Sequence, residues 1–159
     1  MIKKGKMKMN EHEFKAIDLV AEAFEKHGAK FRVFKMQEQG ELLAGFPVNG
    51  GPTVLMKFIV RDDDNDAAAR IFGLITKVPE EKRSRVLEAC NALNLKVRFL
   101  KFVMDADGDI NVEYDFPVRS GDECIGEMVF EIFVRAMSIL DNEYGIFMKA
   151  LYTDEPLNT

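Results

Sequence analysis

Apolar residues at the start of the chain recur at helical spacing. Phe14, Ile17, Val20, Ala21 and Phe24 fall on one side of a helix, with Asn10 and Glu13 as a capping-box start and Gly28 as the stop. The period then shortens to two. Residues 31–37 and 42–46 read as strands joined around Gly40, and 47–52 as a turn. Residues 53–60 are apolar on both faces, as a central strand requires, and Asp62 to Asp66 form an acidic turn. Periodicity alone leaves 68–75 open between strand and helix; Gly73 inside a short Ile/Phe run favours a strand. Pro79 opens a second helix with Glu80 and Glu81 at its positive end, a buried stripe of Val86, Leu87, Cys90 and Leu93, and Asn94 as its end. Residues 97–104 and 110–116 then pair around Asp107-Gly108. In the second of these strands Ile110, Val112, Tyr114 and Phe116 alternate with Asn111, Glu113 and Asp115, which predicts one buried and one wet face.

Ser120 and Glu123 form another capping box, and a long helix follows to about Tyr152. Its core stripe is Ile125, Val129, Ile132, Ala136, Leu140 and Phe147. Phe130, Val134, Met137, Tyr144 and Met148 form a second stripe on the flank, and Glu127, Glu131, Arg135, Ser138 and Lys149 the polar arc. Apolar residues thus take roughly two-thirds of the circumference, beyond the ~100° that a surface helix needs. The second stripe is therefore the candidate interaction face, with burial inside the monomer as the competing explanation. Asn142 and Gly145 are positioned to kink the helix.

The expected fold class is α+β: an antiparallel sheet of five to six strands with N-terminal, middle and long C-terminal helices. The expected division is a basic arm over residues 1–9, one domain over 10–153 and a tail over 154–159. At 159 residues the chain has material for one core without a metal or disulfide staple.

Thirteen Phe and nine Met with no Trp add the expectation of a deformable, aromatic-rich interior. The net charge of −5 argues against nucleic-acid binding, since the one basic cluster, Lys3, Lys4, Lys6 and Lys8, reads as a solvated terminus. No apolar run suits a membrane span or a signal-peptide core, so the expected location is the cytoplasm. Cys90 and Cys124 fall at apolar helical positions and read as reduced core thiols.

Candidate chemistry resolves into structure. The acidic turn at Asp62–Asp66 lacks the glycine and distal glutamate of a calcium loop. In Asp105-Ala106-Asp107-Gly108-Asp109 the ligand positions fall on Val103 and Tyr114. His12 and His27 sit about four turns apart on one helix, too far to share a metal. No serine has a nucleophile elbow, and Asn49-Gly50-Gly51-Pro52 is too short for a phosphate cradle. No catalytic residue, cofactor or metal site is assigned.

The stretch Val78-Pro79-Glu80-Glu81-Lys82-Arg83, leading through Leu87 to Asn91-Ala92-Leu93-Asn94, carries a resemblance. With the Asp107-Gly108 hairpin, the Asp141/Tyr144 pair and the element order, it resembles the YbjN-like family over about residues 13–152. The resemblance implies a fold like that of the type III secretion chaperones, without implying a secretion role. It further implies a regulatory, non-catalytic protein acting as a homodimer that binds a protein or peptide partner. Such a partner would add a strand to a sheet edge or lie in a groove beside a helix. A small-molecule sensor or cryptic enzyme with a Phe/Met-lined pocket is the other reading.

Overall fold

The computed structural model describes residues 14–61, 65–119 and 121–158. Asn10, His12, Glu13, Ser120, Asp62 to Asp64 and the four N-terminal lysines lie outside that range. The helical spacing at the start becomes α1 (Lys15–Lys26), whose buried side is Ala16, Ile17, Val20, Ala23 and Phe24. Gly28 ends it in the left-handed conformation that glycine adopts without penalty, φ +70°.

Four strands follow, β1 (Arg32–Lys35), β2 (Gln39–Pro47), β3 (Thr53–Arg61) and β4 (Asp66–Ile75). After α2 (Glu80–Lys96) come β5 (Lys101–Met104) and β6 (Ile110–Pro117), and then α3 (Ile125–Glu143) and α4 (Gly145–Tyr152). The strands form one antiparallel sheet in the order β1-β2-β3-β4-β6-β5, so the chain crosses over α2 and β5 before β6 returns beside β4. This is the expected α+β architecture, and the ambiguous 68–75 segment is a strand.

The helices pack on one face of the sheet. Register sets Phe58 of β3 between Leu42 and Ala69, and Val112 of β6 between Ile71 and Phe102, all pointing into the core. The small side chains of Ala67 and Ala69 on β4 leave room for Phe58 and Phe116 to stack across that strand, ring centres 5.9 Å apart. The turn expected at Gly40 falls instead at 36–38. Gly40 belongs to β2, where a Cβ would come 2.7 Å from Ile17, so its lack of a side chain lets α1 sit down on the sheet.

Several positions depart from the expected pattern. Asn111 is buried rather than wet, because β4 bulges beside it. Gly73 takes φ +64° in the bulge, and its N–H donates to Asn111 Oδ1 at 2.8 Å, so the amide meets a main-chain donor that the ladder has released. The strand expected over 97–104 forms only from Lys101, since Phe99 takes a positive φ of 69° and breaks it. Asn94 does not end its helix. Its side chain accepts from the Phe102 N–H (2.7 Å) and donates to the Phe102 carbonyl (3.0 Å), pinning α2 to β5. Leu87 is exposed, and Ala89 takes the buried place in α2.

The C-terminal helix breaks at Tyr144 into α3 and α4. In α3 the core takes Phe133, and Ile132, expected there, is only half-buried. The rest of the expected stripe, Ile125, Val129, Ala136, Leu140 and Phe147, is buried, so the core face is widened toward Phe133. Cys124 lies just before the helix and is exposed, so only Cys90 is a core thiol.

Closest approach in the helical layer occurs at Gly126, where a Cβ would collide with the Leu19 carbonyl oxygen of α1. Gly145 has open space around the same position. Gly126→Ala should therefore cost about 2 kcal/mol through overpacking. Gly145→Ala should instead add about 0.5–1 kcal/mol through helix propensity. Urea denaturation of both variants measures the contrast, and equal effects would contradict the packing described.

Candidate binding surface

The motifs that gave the sequence its family resemblance meet each other in the fold. Val78 donates its N–H to the Gly108 carbonyl at 2.9 Å. Arg83 donates to the carbonyls of Val78 (3.3 Å) and Asp107 (3.4 Å) and lies flat against Gly108, where a Cβ would stand 2.7 Å from Nη2. The Asp105 carboxylate accepts from the N–H groups of Asp107 and Asp109, 3.0 Å each, and from Asn111 Nδ2. The main-chain bond from Asp109 is the largest reason its pKa is held below the usual carboxylate range. In the β2–β3 turn Asp141 accepts the Asn49 N–H at 2.7 Å, and Tyr144 packs where a Cβ on Gly51 would come 2.8 Å from its ring. Those residues hold turns; they are not a reactive cluster. Among the described residues no group of three His, Cys, Asp or Glu side chains is placed to hold a metal ion, and no helix is long and apolar enough to cross a membrane.

Two hollows flank the outer side of α3. One, of about 540 Å³, is lined by His27, Cys124, Glu127, Met128, Phe130, Glu131 and Val134. Its wall is built by stacking: the His27 ring lies 4.1 Å from Phe130 and nearly parallel to it, while Phe24 meets Phe130 edge-on from below. Glu127 closes the rim, 2.7 Å from Lys26 Nζ and 2.8 Å from His27 Nε2. Its hydrogen bond from Lys26, followed by that from His27, draws its pKa below the usual glutamate range. The other hollow, of about 260 Å³, is lined by Phe99, Tyr114, Met128, Glu131, Ile132 and Arg135. Phe99 stands edge-on to Tyr114 at 5.6 Å between ring centres. Met128 and Glu131 border both hollows, which makes the surface continuous over the helix.

The expected interaction stripe is divided by this arrangement. Phe130 and Val134 line the larger hollow, with Val134 exposed. Met137 and Met148 are half-buried against the core, and Tyr144 is buried at the Gly51 turn. Sequence reasoning missed His27, Phe99, Tyr114 and Met128 as surface partners. Met128 had a readable signal, being an apolar residue one turn from Glu131 on the polar arc. Phe99 had none, because its exposure follows from a backbone conformation that no local motif announces.

A second apolar surface lies on the sheet face away from the helices. Leu55 is 50% exposed and Phe72 57% exposed. Lys57 Nζ sits 5.9 Å from the centre of the Phe72 ring and 3.2 Å from Glu41. Arg70 is paired with Asp115 and also donates to the main-chain carbonyls of Ala69 and Tyr114.

Residues 16–123 match the family model YbjN, whose description reads "Putative bacterial sensory transduction regulator". The chain belongs to the YbjN family. The match takes in α1 from its second residue, all six strands and α2, and stops just before α3. In this YbjN chain the α3 surface therefore lies beyond the matched residues, whereas the Arg83 and Asp105 networks lie within them. A comparison with the curated proteins finds no match. The family assignment is compatible with a regulatory role and names no chemical reaction.

Removing the carboxylate by Glu127→Gln should lower the urea midpoint at pH 7. A carboxyl with a depressed folded pKa stabilises above its unfolded pKa and loses that contribution as pH falls through the folded value. The gap between wild type and variant should thus close at and below the usual glutamate range; a gap unchanged with pH would rule out the ion-pair account. Burial pushes the Cys90 thiol up to about 11, whereas Cys124 is exposed. Iodoacetamide at mildly alkaline pH should label Cys124 and spare Cys90 in the folded chain, as read by peptide mass.

Proposed function

We propose that this YbjN chain is a non-catalytic regulatory module that acts as a homodimer and binds a protein or peptide partner. The observation that carries the reading is the exposed apolar surface over α3, where Phe99, Met128 and Val134 stand outside the core. Contiguous apolar groups on a surface mark places where another molecule sits. The Asp105–Asp109 cluster, which invited a chemical reading, is instead engaged in a turn, and Arg83 and Asn94 pack α2 on the β5–β6 hairpin. Regulation by contact needs surfaces of this kind and no reacting group.

One observation favours a second reading as a small-molecule sensor. The 260 Å³ hollow offers Phe99, Tyr114, Met128 and Ile132 as apolar walls, with Glu131 and Arg135 as polar groups at its edge. That combination suits a small amphipathic ligand.

Light scattering of the purified chain at micromolar concentration should give the mass of a dimer, and a monomer would end the dimer part of the reading. A protein recovered with the tagged chain from its native cell should bind the purified chain in calorimetry. A saturable thermal shift with one metabolite, and no such protein, would move the assignment to the sensor.

A further inference from the structure

The outer side of α3 carries its charges in a pattern that complements itself. Glu131 and Arg135 stand one turn apart, 61% and 60% exposed, and their side chains are paired at 2.6 Å. An exposed pair of this kind adds little to the stability of the chain that holds it. Around the pair the helix presents Met128 and Val134, both exposed, and the hollows on its flanks open onto Phe99 and Phe130. The surface is therefore apolar ground with Glu131 and Arg135 set along the helix axis and Glu127, already paired with Lys26 and His27, at its rim.

We propose that a second copy of the chain covers this surface, with its α3 lying antiparallel along the first. The inference rests on the homodimer reading and names the face that forms the dimer. A two-fold interface sets one patch against itself, so each residue has to meet its counterpart's complement. With the axis level with Phe133, Glu131 of each copy lies opposite Arg135 of the other, and Met128 lies opposite Ser138. Each copy then offers its cation to the other's anion, and the match is made twice. A parallel pair in register would set glutamate against glutamate and arginine against arginine, at a cost. The charge pattern selects the second copy in that one direction, and the apolar groups around it supply the area removed from water.

Sedimentation equilibrium with charge exchange tests the arrangement. Glu131→Arg and Arg135→Glu change exposed side chains, and circular dichroism verifies that each variant is folded. Wild type should be dimeric at micromolar concentration, and each single variant should dissociate at least tenfold more readily, because like charges then face each other. An equal mixture of the two should restore the dimer, since the arginines of one meet the glutamates of the other. The double variant should recover self-association. Dimers unaffected by either substitution would leave the homodimer reading standing and overturn this interface. Weakened variants that stay monomeric when mixed would overturn the antiparallel register. A monomeric wild type would remove both the interface and the homodimer.

Discussion

The helical layer depends on one place where two backbones nearly touch. Gly126, at the start of α3, lies against the Leu19 carbonyl of α1, and a side chain there would drive the two helices apart. That contact sets how closely α1 and α3 can lie side by side over the sheet, and so how completely Phe24, Phe46 and Phe133 can interlock between them. Phe133 sits 5.1 Å from Phe24 and 5.4 Å from Phe46, ring centre to ring centre, in the space the two helices close. Dispersion falls off steeply with separation, so a wider layer would forfeit much of what those rings contribute.

From that constraint follows the division of the molecule into a packed side and a presented side. The face of the sheet beneath the helices supplies the core, while the outer side of α3 exposes Met128 and Val134 and the far face of the sheet exposes Leu55 and Phe72. The stretch matched to the YbjN family spans both sides of this division, taking in the packed core strands as well as the exposed Leu55 and Phe72. Arg83, Asp105, Gly108 and Asn94 fasten α2 to the β5–β6 hairpin, so their identity is explained by architecture.

Much of the fold was legible in the residues, for specific reasons. Strict alternation placed β6, double-faced apolarity placed β3, and the Asp107-Gly108 turn placed the hairpin. What escaped was set by neighbours distant in sequence. Asn111 is buried because β4 bulges at Gly73, and Leu87 is exposed because nothing packs over that side of α2 among the described residues. The shift of the α3 core from Ile132 to Phe133 has a similar origin. A helix that is apolar over most of its circumference leaves its phase undetermined by pattern, and the close contact at Gly126 decides which side faces inward. Of the candidate stripe, Phe130 and Val134 border the larger hollow beside α3, and Tyr144 belongs to a turn.

The sheet ends on both sides in strands of only four residues, β1 and β5. An incoming strand would find few free main-chain groups to pair with before the edge runs out, and Lys35 and Lys101 place charge on those two margins. Short, charged margins of this kind discourage the addition of further strands. The chain can therefore keep apolar side chains in contact with water on its faces without offering the open ladder from which cross-β assemblies propagate.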